Sequence, residues 1–193
     1  MTAALSAWLA AAGLRNLPLE ELVDGFARRL NDAGVPVARI FVGMNTLHPQ
    51  VLVRSLIWDR ATGPATRFEF QHAEIDNRII RESPLAPMLY ANVHERRLDL
   101  RLPPGPGEAP VFAELRGLGM TDWLANVFPF GELAPGIINP LASEGVGQLW
   151  LATSIATDRP EGFDEPHVAA LREALPMFAL ERRAFNRTRI QRL

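Results

Sequence analysis

Leu149-Trp150-Leu151-Ala152-Thr153-Ser154-Ile155 is an uncharged run, and Thr157-Asp158-Arg159-Pro160-Glu161-Gly162-Phe163 follows it almost at once. The first reads as a buried strand and the second as a turn built on Pro and Gly. Asp164 is then placed as an N-cap, with Glu165 and Pro166 in the first turn of a helix that runs to the chain end. Val168, Leu171, Leu175 and Phe178 give this helix one apolar stripe, and Leu180, Phe185 and Ile190 continue an apolar trace through its arginine-rich second half. Pro176 predicts a kink. Helical from Glu165 to Gln191, it spans about 40 Å at 1.5 Å per residue. A helix with so little core contact is marginal in water. Pairing with the same helix of a second subunit is therefore expected, with Leu171, Leu175, Phe178 and Phe185 as the dimer and signalling positions. The chain divides on this reading into a domain over 1–163, N-terminal helices included, and a connector helix over 164–193.

Upstream, Leu5, Trp8, Leu9 and Ala12 have amphipathic-helix spacing within an uncharged segment, Thr2 to Leu14, that is too short to span a bilayer. A second helix is expected from Pro18, its dipole matched by Glu20 and Glu21, its stripe Leu19, Leu22, Val23, Phe26 and Leu30, and its end at Gly34. Strands are expected at Val37–Asn45, Val51–Asp59 and Ala65–His72, the last two joined by a turn at Thr62-Gly63-Pro64. Between Asp76 and His94, Pro84 and Pro87 break a helical pattern into short pieces. Leu98 to Leu102 alternates as a strand, Pro103 to Gly107 is a solvated loop, and Val111 to Leu118 is a short helix closed by Gly119. Asp122–Phe130 and Gln148–Ala156 complete the strands. The order predicts an α+β domain, one antiparallel sheet with helices packed on one face. That architecture resembles the GAF and PAS sensory modules.

The composition narrows the function. The chain has 193 residues, a net charge of −2, 48% hydrophobic and 22% charged residues. This fits one soluble domain and argues against a nucleic-acid footprint or membrane insertion. All 20 basic residues are arginine, but they are scattered rather than clustered on a phosphate-binding stripe. No cysteine is present, which excludes disulfides, thiolate metal ligands and a cysteine nucleophile and fits a cytoplasmic location. His48, His72, His94 and His167 show no helical ligand spacing and no metal site is expected. There is no Gly-x-Ser-x-Gly elbow, Ser143 and Ser154 lack a triad pattern, and Gly145-x-Gly147 lacks the Gly-Lys-Ser/Thr of a phosphate loop. No catalytic residue is assigned.

Five short motifs occur in order: Thr46-Leu47-His48-Pro49 with Trp58 beyond it, Ser83-Pro84, Phe112-Ala113-Glu114-Leu115-Arg116, Gly119-Met120-Thr121-Asp122-Trp123-Leu124, and Ala156 to Phe163. In this order they resemble the N-terminal GAF-like regulatory region of bacterial class III adenylate/guanylate cyclases, over nearly the whole chain. The resemblance implies a non-catalytic sensory domain acting, as a homodimer, on a cyclase domain in cis beyond the terminal helix. No cyclase-type Phe-x-Asp metal motif is found in this chain. It implies no resident cofactor but leaves room for a small-molecule ligand, since sensory pockets are mostly apolar with a few polar anchors. The candidate ligand-binding residues are His48, Trp58, Tyr90, Trp123, Asn126 and Trp150, with Phe128 as a further aromatic and Arg54 and Arg67 as readers of an anionic ligand. The alternatives are a ligand-free dimerisation domain and a stand-alone ligand-binding GAF protein.

Overall fold

In a computed structural model of the chain, residues 3–15, 17–45, 51–71, 82–132 and 148–190 are described. The elements run α1 (Ala3–Leu14), α2 (Leu19–Asp32), β1 (Arg39–Asn45), β2 (Val51–Asp59), β3 (Gly63–Gln71), α3 (Ala86–Tyr90), β4 (Glu95–Asp99), α4 (Pro110–Gly117), β5 (Asp122–Glu132), β6 (Gln148–Thr157) and α5 (Glu165–Ile190). The six strands form one sheet in the order β3-β2-β1-β6-β5-β4. Every neighbouring pair is antiparallel. The order places β1 and β6, far apart in the chain, side by side at the sheet centre.

Local signals fix the helix ends. Gly34, at φ +86°, terminates α2 in the left-handed region open to glycine. The Asp164 carboxylate accepts the His167 backbone N–H at 3.0 Å and so caps α5 as expected. Packing then decides where each helix lies. Leu5, Leu9 and Ala12 of α1, Leu22, Phe26 and Leu30 of α2, and Val168, Leu171, Leu175 and Phe178 of α5 are all buried in one cluster. It lies against one sheet face, on Ile40, Val42, Leu56, Leu124, Leu151 and Ile155. The Phe26 and Phe178 rings sit 4.9 Å apart, centroid to centroid, at its heart.

That arrangement corrects the expected role of the α5 stripe. Leu171, Leu175 and Phe178 are at most 1% exposed within a single chain, so they serve the domain's own core and present nothing to a second subunit. An apolar helical stripe requires burial but does not specify against what. Phe185, the fourth position of that set, lies beyond the residues whose side chains are described.

The sheet is also covered on both faces rather than one. Its second face carries another core cluster in which Leu85 and Met88 by α3, and Phe112 and Leu115 of α4, pack over Ala125, Ala152 and Ala156. The strand expected at Leu98–Leu102 lies earlier, at Glu95–Asp99. Asp99 ends it by accepting the backbone N–H and the guanidinium of Arg101, folding the chain into a turn.

Edge strand β4 is tied to α5 by charge. The Glu95 carboxylate receives Arg172 in a two-pronged pair, with a shortest contact of 2.7 Å, and the Asn126 amide at 3.3 Å. The Arg172 hydrogen bonds hold the Glu95 carboxyl below its ordinary value, partly opposed by burial and helped by Asn126. A depressed folded-state value means that this tie is fully present above the ordinary glutamate range, near pH 4.3, and is lost as pH falls through the folded-state value. The expected result is that Glu95→Gln flattens the acid limb of a stability-against-pH curve and leaves its neutral plateau slope unchanged. A denaturant titration from neutral to acidic pH checks it.

Candidate functional site

The second sheet face does not pack solid. Between its central strands and the α3–α4 side lies an apolar cavity of about 380 Å³. Small side chains make the floor: the register sets Gly43 between Ser55 and Ala152, and Phe41 between Ile57 and Ser154. Four of those six residues have side chains no larger than a hydroxymethyl group, so the floor is low where the strands meet. A Cβ at Gly43 would sit 3.0 Å from the Phe41 ring, so the glycine makes room for that ring as well. The walls are aromatic and aliphatic. Phe41, Phe68, Trp123 and Trp150 rise from the strands, while Leu85, Leu89 and Tyr90 come from α3 and the turn before it. Val111 and Leu115 of α4 close the back. Trp123 is held upright by Phe112, edge to face at 4.9 Å and 86°.

Polar groups are sparse here. Ser55, Ser83 and Ser154 contribute hydroxyls, and Ser83 Oγ accepts the Leu85 N–H at 3.3 Å, which shapes the lead into α3. Arg39 stands at one end but is already committed to Asp59 at 3.5 Å and Glu114 at 3.1 Å. At the other end Asn45 Oδ1 accepts the Trp150 backbone N–H at 2.8 Å, pinning the start of β6 to β1. The Trp150 indole nitrogen is buried and has no hydrogen-bond partner among the described residues.

Of the candidate residues, the fold brings Tyr90, Trp123 and Trp150 together around this cavity. Trp58 goes to the opposite face, where its indole donates to Asp24 of α2 at 2.9 Å. Burial pushes the Asp24 carboxyl up, but hydrogen bonds from Arg28 and that indole outweigh it and leave it below the ordinary range. Asn126 also misses the cavity: alternation along β5 sends Trp123 and Ala125 one way and Leu124 and Asn126 the other. Arg54 and Arg67 leave by the same alternation, Arg54 pairing with Glu69 at 3.0 Å and Arg67 with Glu20 of α2. Phe128 packs against the helix-side cluster. His48 lies outside the described residues. Sequence reasoning missed the small floor residues Gly43, Ser55 and Ser154 and the α3 wall. The one available signal was their size: small side chains in otherwise bulky strands leave space under any covering layer.

The cavity is joined to α5 by a compact polar lock. Asp122, beside Trp123, is 1% exposed and accepts the Arg97 guanidinium through both oxygens, at 2.6 Å to Nη2. Its carboxylate also accepts the Phe163 backbone N–H at 2.9 Å, and Arg97 donates to the Phe163 carbonyl. Gly162, at φ +76°, lets the turn approach so closely that a Cβ would lie 2.8 Å from Asp122 Oδ2. Thr121 Oγ donates toward the Thr157 and Arg159 carbonyls beside it. The turn that launches α5 is thus stapled to the strand that carries a cavity wall.

No protein-family model matches the sequence, and no curated protein does. Solved structures do match. The phycoerythrobilin-bound GAF domain of a cyanobacterial phytochrome aligns with TM-score 0.55 at 11% identity, covering 96% of each chain. A phycocyanobilin-bound GAF domain from a cyanobacterial phytochrome aligns at 0.53 and 11%, covering 92% of this chain and 91% of that one. CepR2 from Burkholderia cenocepacia, an N-acylhomoserine-lactone-dependent LuxR-family transcription factor, aligns at 0.50 and 12%, covering 97% of each. The fold is GAF-like: a six-stranded antiparallel sheet with flanking helices, of the α+β class. No helix of the described residues is long and apolar enough to cross a membrane.

Proposed function

We propose that this chain is a sensory domain that binds a small organic molecule in the cavity and passes its occupancy through α5 to a class III adenylate/guanylate cyclase domain in cis. The observation that carries the reading is the apolar 380 Å³ cavity, one wall of which, Trp123, adjoins the Asp122 lock on α5. The volume is within the range of small-molecule sites, about 300–1,000 Å³. The two GAF domains of similar fold hold bilins, which are small organic ligands. The cyclase part rests on the motif order. Ser83 and Pro84 border the cavity, Phe112 and Leu115 back it, and Asp122 and Phe163 meet in the lock. A ligand that prefers one setting of the lock shifts the α5 equilibrium by its differential affinity alone.

A homodimer belongs to the same proposal, but its surface differs from the buried stripe. The outer side of α1 (Ala3, Ala4, Ala7, Ala10, Ala11, Leu14) is exposed and bears no charge, and Leu180 of the adjoining α5 is 57% exposed. A helix apolar all round leaves one face unsatisfied when only the other is buried. That face is offered to a second copy.

The test is cyclic-nucleotide formation by a class III catalytic domain joined after α5. Occupancy of the cavity should change the rate several-fold, by about 1–3 kcal/mol of coupling. Ser154→Leu, which fills the floor, should abolish the response. A rate indifferent both to Ser154→Leu and to deletion of the GAF-like domain would sink the cyclase reading.

A further inference from the structure

We propose that His167 is a proton-operated latch at the launch of α5: neutral, its ring ties the helix start to the turn before it, and protonated, it releases that turn and pairs with the Asp164 carboxylate. The inference goes beyond the sensory reading and does not depend on what fills the cavity. It starts from one atom. Three groups converge on His167 Nδ1: the Asp164 backbone N–H at 3.2 Å, the Arg159 guanidinium at 3.3 Å and the Asp164 carboxylate at 2.9 Å. The first two need a lone pair on the nitrogen, and the third needs a proton there. One nitrogen serves only one of these sets at a time. In a neutral ring protonated at Nε2, Nδ1 accepts the Asp164 N–H while Asp164 accepts the His167 N–H at 3.0 Å. That is the reciprocal pairing of a capping box, with histidine in the third helical position usually held by Glu or Gln.

Protonation reverses the choice. Nδ1 becomes a donor to the carboxylate, the Asp164 N–H loses its acceptor, and Arg159 faces a second cation at 3.3 Å. A positive ring in the first turn also opposes the helix dipole. Imidazole is the side chain whose charge ordinarily changes between about pH 5 and 8, and 17% of the His167 side chain is open to solvent. The His167 N–H above all, with Arg159 beside it, keeps the Asp164 carboxyl below its ordinary range against burial, so the carboxylate is present to receive the ring. The other charges nearby are Glu161, which holds Arg159 at 3.2 Å, and Glu165, which holds Arg172 at 3.5 Å. The Phe163 ring meets the imidazole edge to face at 6.4 Å, and its backbone holds Arg97 and Asp122. Arg101 donates to the Pro160 carbonyl. Carboxyl and guanidinium groups ordinarily titrate well away from neutral pH, which leaves the imidazole as the variable charge. Arg159 also accepts Thr121 Oγ and the Gly162 N–H at its carbonyl, so its displacement loosens the turn that the Asp122 lock secures. The latch and the lock thus act on one turn.

The experiment uses the full chain at about pH 8 and about pH 5.5, on either side of the ordinary imidazole range. Ring ¹⁵N shifts, assigned through the His167 backbone, should show Nε2 protonated and Nδ1 bare at the higher pH, and both nitrogens protonated at the lower. Amide hydrogen exchange, corrected for its intrinsic pH dependence, should lose about fivefold in protection at Asp164 and across 159–163 on acidification, the loss of about one hydrogen bond. His167→Gln keeps a neutral acceptor in the third helical position at every pH, so its protection there should change by less than about twofold. A neutral ring carrying its proton on Nδ1 at the higher pH would overturn the proposal, because the ring would then face the carboxylate before any second proton arrives. Protection in the wild type that is indifferent to pH would overturn it too, as would a His167→Gln chain that loosens as much as the wild type. The tautomer and the wild-type exchange need no variant, so they decide the matter even where His167→Gln does not fold.

Discussion

Phe178→Ala is expected to lower the stability of the isolated domain by about 3–5 kcal/mol, the usual range for deleting a buried phenylalanine ring. The ring is 1% exposed and lies 4.9 Å from Phe26, with Ala174 and Leu175 buried beside it. Nothing nearby can collapse cheaply into the space, because α1, α2 and the sheet all bear on the same cluster. Denaturant unfolding should show a lower midpoint with an unchanged m-value. The association state should not change at any given concentration, because the side chain faces its own domain. Leu14→Glu is the complementary variant: Leu14 is 87% exposed on the uncharged side of α1, so it should leave the midpoint almost untouched and weaken any dimer. Light scattering and unfolding on both proteins decide the matter. A small stability loss in Phe178→Ala accompanied by dissociation to monomer would restore the α5 stripe as a subunit interface.

The reversal over Phe178 shows which parts of the architecture sequence can carry. Caps and breakers are local, so they are legible: Asp164 caps α5, Gly34 ends α2, and β2 begins and ends at Val51 and Asp59 as expected. Which strand face looks where is not local. Residues of β1, β2 and β6 alternate faithfully, yet both sheet faces are apolar and buried, so no polar residue marks one as outward. Trp58 and Trp123 are therefore equivalent in sequence and opposite in space. One finds Asp24 across the helix layer, and the other stands over the cavity. Asn126 fails for a related reason. Its burial comes from a cross-strand position opposite Glu95, and that register exists only once β4 and β5 have paired. The cavity itself is an absence of volume. Gly43, Ser55 and Ser154 announce it only after three strands from distant parts of the chain have set them side by side.

Asp122→Ala is expected to cost about 2–3 kcal/mol and to loosen the launch of α5. Breaking a buried ion pair from one side typically costs about 3–5 kcal/mol, but the Arg97 side chain is 38% exposed, so solvent recovers part of that. What solvent does not recover is the Phe163 N–H, which loses its acceptor in a residue 3% exposed. Asp122→Asn retains an oxygen for that N–H and weakens only the pair with Arg97, so it should cost less, about 1 kcal/mol. The order Ala worse than Asn separates the backbone lock from the ion pair. Hydrogen exchange should quicken at 159–163 and over the first turn of α5 in the alanine variant, with the α1–α2 layer unaffected. Because Trp123 is the next residue and a cavity wall, the same variant should reduce the effect of a bound molecule on α5 by the factor it takes from that molecule's affinity, since coupling between two sites is reciprocal. Exchange that quickens only along β4, with α5 as protected as before, would show that Asp122 merely staples an edge strand and that the route from cavity to helix runs elsewhere.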